Sequence, residues 1–368
     1  MLNKILLTTI APGTVNLSTR LKLALQNKTE LKYAGRMIET LAIGMIIAPV
    51  NILESLCYKL YIQEHSIKKP PVFIIGHWRS GTTYLHNFIT QDTMFGFPTV
   101  FQTRFPKGFN SLERLKSALG NYLPKNRITD NVEINFDLPA EEEIAIARLL
   151  PYSYFHSFTY PKNSDLFFKK YVVFNDISGR ELDALKKAYS FFIKKISCAW
   201  KEKQLVFKNP VNTARIDFLL SLFPDAKFIH IYRNPYDVFK STKNMRNKIS
   251  ELVRLHSTFD EQTSDEMIIR HYIALMKCYF EQKKLIRKDH LAEVKYEDLT
   301  AQPEKEIERI YKELSITFTD TARENLRQYL IHIENYKKNY LPLSHTNKSM
   351  IEKNWAFTIE KWGYSAPD

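Results

Sequence analysis

Residues Pro71 to Asn87 read PVFIIGHWRSGTTYLHN, and this stretch decides the fold class. Val72, Phe73, Ile74 and Ile75 form a short apolar run of the kind that strands buried on both faces use. Gly76 to Gly81 then supply a turn, after which Tyr84, Leu85, Phe88 and Ile89 recur at helical spacing. The order is strand, loop, helix. A helix start leaves backbone N–H groups unpaired, and Gly81, having no Cβ, lets an anion come close to them. Thr82 and Thr83 add hydroxyl donors, and Arg79 adds a planar fork that suits phosphate or sulfate. Together these residues make a cradle for an oxyanion.

The chain of 368 residues can bury a large core, and one α/β domain with additions is the expectation. A net charge of +13 favours polyanions, anionic membrane surfaces or acidic small molecules as partners, without choosing among them. Cys57, Cys198 and Cys278 lie far apart, so neither a disulfide framework nor a zinc site is expected, and a reducing, cytoplasmic setting fits. His77, His86, His156 and His230 show no metal-binding spacing, and no metal is assigned. The first residues, MLNKILLTTIAPGT, are too short and broken an apolar run for a secretory signal.

Ahead of the central stretch, residues 1–68 read as an N-terminal helical extension, helical over 18–62, with an apolar centre at residues 41–53. That centre contains Pro49 and falls short of the ~20 apolar residues of a membrane-spanning helix. Two readings stand for it: a helix packed on the rest of the protein, or a hydrophobic hairpin giving peripheral contact with the inner face of a membrane. Residues 69–368 form the main domain, in which 77–204 include a long insertion on the lid and acceptor side. Within it PAEEEIAIARLL opens a helix whose first turn holds Glu141, Glu142 and Glu143. Those acids suit the positive helix start, and one of them could equally take a proton from an acceptor hydroxyl.

Downstream, residues 205–207 and 227–232 are strands flanking a helix over 213–223, a βαβ unit that implies a parallel sheet. Ligands of such sheets sit at the carboxyl ends of the strands, where Lys208 and Arg233 fall. Pro235 opens a helix bearing Asp237, Lys240 and Ser241; Thr263 and Glu266 form a capping-box pattern; and residues 291–296 are a fourth strand. The fold class expected is α/β: a P-loop-like three-layer fold, its mostly parallel central sheet flanked by helices.

Gly76 and Gly81 have the spacing of a Walker A loop, but Thr82 stands where its lysine belongs, which argues against ATP or GTP hydrolysis. Arg79-Ser80-Gly81-Thr82-Thr83 instead resembles the 5′-phosphosulfate loop of sulfotransferases that use 3′-phosphoadenosine 5′-phosphosulfate (PAPS). With LFPDAKFIHIYRNPYDVFKS and Tyr296-Glu297-Asp298-Leu299, the chain resembles this family over about residues 69–365, nearer to its bacterial and tyrosylprotein-type branches than to the cytosolic one.

The resemblance implies transfer of a sulfuryl group from PAPS to a hydroxyl or amine of a glycan, a lipid or a small metabolite, with no metal required and no nucleic acid involved. It implies that Arg79, Ser80, Gly81, Thr82 and Thr83 bind the phosphosulfate together with Lys208, and that Arg233 and Ser241 bind the 3′-phosphate. Tyr296 would lie near the nucleotide, and Lys348 would stand in a late basic loop. Arg79 and Lys208 would also serve catalysis. The general base departs from the pattern: where the tyrosylprotein type has a glutamate, PTVFQTRFP offers Gln102 and no carboxylate. Glu141 is the first choice in its place and Glu143 the second. A P-loop kinase of a small molecule and a non-catalytic nucleotide-binding module are the alternatives.

Overall fold

The computed structural model describes residues 14–121, 123–127, 129, 133–201, 203–333 and 342–365. Residues 1–13, the start of the chain, lie outside these residues. The chain forms two compact units, one made of Met1–Ile67, Pro98–Glu202 and Arg246–Phe259, the other of Lys68–Phe97, Lys203–Met245 and Asp260–Asp368.

The second unit holds the sheet. Strands β1 (Val72–Ile75), β2 (Phe95–Gly96), β3 (Gln204–Lys208), β4 (Lys227–Tyr232) and β5 (Leu291–Lys295) are ordered β2-β3-β1-β4-β5. Every pairing is parallel. Central β1 is apolar at each position because both its faces are covered. On one face Phe73 packs against its register partners Phe207 and Phe228, with ring centroids 5.5 and 5.8 Å away. On the other, Val72 and Ile74 join Val206, Ile229, Ile231, Ala292 and Val294, covered by Leu85, Phe88 and Ile89 of the helix Thr82–Ile89 and by Ile307 and Ile310 of the helix Pro303–Glu313. Burying each of these large side chains is worth about 1.5–3 kcal/mol, which fixes the sheet beneath the loop that follows β1.

Several local expectations shift. The helix between β3 and β4 begins at Ile216, because Pro210–Ala214 turn first as a 3₁₀ helix with Asn209 accepting the Val211 N–H. The helix Glu261–Gln282 is capped by Asp260, whose carboxylate accepts both the N–H and the hydroxyl of Thr263, so Thr263 and Glu266 are not its capping box. Strand β2, two residues long, was not anticipated.

In the first unit the apolar segment 41–53 lies within one continuous helix, Ala34–Glu64, and not in a hairpin. Pro49 cannot donate to the carbonyl of Met45, but both residues are exposed, so water can take that bond. The buried side of the helix includes Met37, Thr40 and Ile62 together with Glu54, which meets Lys195 of the helix Gly179–Trp200 at 2.5 Å. The aromatic-rich tract after Tyr152 is core: Tyr154, Phe158, Tyr160, Phe167, Phe168 and Tyr171 are all buried.

Candidate functional site

The carboxyl ends of three adjacent strands, β3, β1 and β4, carry Lys208, the loop 76–81 and Arg233 respectively. A parallel sheet concentrates its ligand groups at this edge.

The loop is held from within. Gly76 has φ +145° and an added Cβ would stand 2.3 Å from the carbonyl oxygen of Ile231, so only glycine lets the chain leave β1 in this direction. Its N–H donates to Thr213 Oγ1 at 2.8 Å. Ser80 turns inward, its N–H and its hydroxyl both donating to the His77 carbonyl at 3.1 and 2.7 Å. His77 is buried, and its Nδ1 bonds to the Trp78 carbonyl at 2.8 Å. Burial holds its imidazole neutral, with a pKa lowered to about 4.

Arg79 adopts φ +70°, an uncommon conformation for a residue with a side chain. Its Nε donates to Ser241 Oγ at 2.8 Å, and its carbonyl lies 3.5 Å from a terminal nitrogen of Arg233. Gly81 follows at φ +100° as the N-cap of the helix Thr82–Ile89, and a Cβ there would meet the ring of Tyr296 at 2.3 Å. The same ring lies under the Arg233 guanidinium, 4.4 Å from its centroid. Tyr296 therefore packs against the loop glycine and against the strand-end arginine.

Arg233 is further set by Asp237, 3.2 Å from its second terminal nitrogen, while Lys240 lies 3.0 Å from the other oxygen of that carboxylate. Burial alone would raise the Asp237 pKa, but Arg233 and Lys240 outweigh it and hold the carboxyl below its usual range. The buried Nε of Arg233 has no hydrogen-bond partner among the described residues. An anionic oxygen would satisfy it. Lys208 is buried, with its ammonium donating to Thr83 Oγ1 at 3.3 Å. Nearby His86 is fully buried; burial first, and the Lys208 charge second, keep its imidazole neutral.

The structure thus brings together Arg79, Gly81, Thr83, Lys208, Arg233, Ser241 and Tyr296, with Thr82 buried at the helix start and Ser80 committed to the loop itself. Lys348 stands half-buried in the first turn of the helix His345–Lys361. Glu141 and Glu143 belong to the first unit. Glu141 is the half-buried N-cap of the helix Glu142–Leu149. Glu143 is fully buried, accepting from Ser153 Oγ at 2.7 Å and from the Tyr189 hydroxyl at 3.2 Å.

One residue of consequence escaped the sequence reading. Glu297 accepts the N–H of Asn234 with one oxygen at 3.1 Å and the hydroxyl of Tyr364 with the other at 2.7 Å, so it fixes the turn that carries Arg233. Its place beside Tyr296 in the late motif was the available signal. Among the described residues no group of histidine, cysteine and acidic side chains is arranged to hold a metal.

Known proteins resemble this chain in sequence and in fold. A profile described as the sulfotransferase family matches residues 70–320. The omega-hydroxy-beta-dihydromenaquinone-9 sulfotransferase Stf3 of Mycobacterium bovis is 28% identical over 353 residues, covering 95% of this chain and 90% of its own, and the Mycobacterium tuberculosis protein of that name gives the same figures. The crystal structure of sulfotransferase STF1 from Mycobacterium tuberculosis superposes with a TM-score of 0.67 at 16% identity, covering 93% of this chain and 91% of that one. That of STF9 from Mycobacterium avium gives 0.66 at 14% identity, covering 96% and 97%.

Proposed function

The chain belongs to the sulfotransferase family, and from that premise we propose that it moves the sulfuryl group of PAPS to a hydroxyl of a lipid-like acceptor. The observation that carries the donor assignment is the buried, unpartnered Nε of Arg233 at the end of β4, beside a glycine loop that leaves backbone N–H groups open at a helix start. PAPS supplies an activated sulfuryl group: the acceptor oxygen bonds to sulfur as the bond from sulfur to the phosphate oxygen breaks, and the hydroxyl proton must leave.

In this reading Arg233 and Ser241 hold the 3′-phosphate, while the loop N–H groups, Thr82, Thr83 and Arg79 hold the 5′ side. Ser80 keeps the loop in shape, and Tyr296 supports Gly81 and Arg233 from beneath. Lys208 stands where charge builds on the leaving phosphate oxygen, and such preorganised donors are worth about 3–4 kcal/mol of barrier. No metal is needed for that role, since the cationic side chains can fill it. Lys348 completes the nucleotide site from the helix His345–Lys361. For the proton the proposed acceptor is Glu141, the N-cap of the helix Glu142–Leu149, with Glu143, held by Ser153 and Tyr189, as the second choice.

The acceptor class follows the relative that acts on a hydroxylated menaquinone. A lipid acceptor brings the enzyme to a membrane, in the cytoplasm and at its inner face, with contact through residues 41–53. The test is transfer of radiolabelled sulfur from PAPS to a hydroxylated polyprenyl quinone or a long-chain alcohol, followed by organic extraction. Label should enter the lipid phase with the wild-type protein and fall by about a hundredfold or more with Lys208→Ala. Label that enters only water-soluble alcohols would refute the lipid acceptor. Transfer of phosphate from ATP would refute the donor.

A further inference from the structure

The outer side of the helix Ala34–Glu64 is an apolar face that no other described part of its unit covers. Ile38, Met45, Ile46, Ile52, Leu53 and Leu56 are each 57 to 75% exposed. Positions 38, 45, 49, 52 and 56 follow the 3.6-residue period, so they form one continuous stripe along the helix. Between Thr40 and Leu53 the sequence carries no charged residue. Exposed apolar surface on this scale marks an interaction site.

Three features say what covers it. Exposed Lys22, Lys28 and Lys32 and half-buried Arg36 precede the charge-free stretch, against Glu30 and Glu39, so its near end is basic. Tyr58 and Tyr61, both exposed, carry amphipathic rings that favour a boundary between water and acyl chains. The opposite side of the helix is tied down. The Glu54 carboxylate, buried, takes the Lys195 ammonium together with the N–H groups of Asn110 and Ser111 at 3.2 and 2.7 Å. By length and composition alone the segment Leu31–Tyr58 could cross a membrane. A helix fixed by a buried ion pair along one side cannot be surrounded by lipid, and lying flat is the arrangement left.

We infer that the exposed face of the helix Ala34–Glu64 docks in plane on an anionic membrane surface, its leucines and isoleucines entering the acyl boundary and the basic residues before it meeting lipid phosphates. This rests for its purpose on the lipid-acceptor reading, since a lipid alcohol would then reach the enzyme from the bilayer it sits on. The docking itself does not depend on catalysis.

Flotation of the full-length protein with vesicles tests it, using equal parts phosphatidylglycerol and phosphatidylcholine, or phosphatidylcholine alone. The wild-type protein should float with the anionic vesicles, less with the neutral ones, and less in high salt. Ile46→Gln with Leu53→Gln and Leu56→Gln should lower partitioning by about tenfold or more, and Lys22→Glu with Lys28→Glu should lower it on anionic vesicles alone. Unchanged binding of 3′,5′-adenosine bisphosphate certifies that the variants fold. A wild-type protein that stays at the bottom of the gradient overturns the inference. So does one that sediments as a dimer, fails to float and is made monomeric by the triple variant, for then a second copy covers the face. Flotation without sulfation of any lipid alcohol would leave this face standing and refute the acceptor reading instead.

Discussion

Gly81 shows how much one residue decides. Its φ of +100° and the ring of Tyr296 at 2.3 Å from a hypothetical Cβ leave no room for a side chain on either conformational or steric grounds. Gly81→Ala should cost on the order of 2 kcal/mol in urea denaturation and weaken bisphosphate binding at the same time, because the displaced Tyr296 also supports Arg233. Loss of stability with full binding would separate the two roles. The glycine, the arginine before it and the hydroxyls after it were legible in the sequence because their meaning is local: spacing after a strand and before a helix. The roles of Thr213 and Glu297 were not, since each acts on a backbone N–H far away in the chain. The carboxylates of 141–143 were legible as a helix start and no further, because Ser153 and Tyr189, which occupy Glu143, lie 10 and 46 residues away.

At the level of elements, β1, β3, β4 and β5 could be read from apolar runs punctuated by proline, glycine and aspartate. Strand β2 could not, since two residues carry no period. The helix Ala34–Glu64 was the harder case. Pro49 in the apolar centre left a hairpin open beside a packed helix, and burial of Thr40, Glu54 and Ile62, which holds the helix on both sides of the proline, decides for the helix. The Glu54–Lys195 pair is the sharpest part of that hold. Desolvation lowers the Lys195 pKa and Glu54 opposes the fall, which is the signature of a charge kept in the interior by its partner. Lys195→Met alone should therefore destabilise the protein by about 3–5 kcal/mol, leaving the Glu54 carboxylate buried beside an apolar chain. Adding Glu54→Met removes the stranded charge but also the acceptor of the Asn110 and Ser111 N–H groups, so it should recover part of the loss. A double variant no better than the single would show that the pair contributes through packing and not through charge.

Over the whole molecule, buried neutral histidines set the response to acid. His77 in the sheet-bearing unit and His156 in the other are both pushed by burial to a pKa of about 4, against about 6.5 in an unfolded chain. Below pH 6.5 the unfolded state binds protons that the folded state refuses, so stability is complete above that pH and is lost as pH falls from 6.5 towards 4. Each histidine withdraws on the order of 3 kcal/mol across that window. Urea midpoints should fall between pH 7 and pH 5, above the carboxylate range, and a His77→Gln variant should show a shallower fall. An unchanged midpoint over that interval would contradict the assignment.

If the edge formed by β3, β1 and β4 is built for a doubly phosphorylated adenosine nucleotide, calorimetric titration with 3′,5′-adenosine bisphosphate in the absence of metal will show it. Binding should saturate at one site per chain, be stronger than that of ATP with Mg²⁺ and weaken tenfold or more in Arg233→Ala. Preference for ATP with Mg²⁺, or bisphosphate binding that neither Arg233→Ala nor Lys208→Ala weakens, would contradict it.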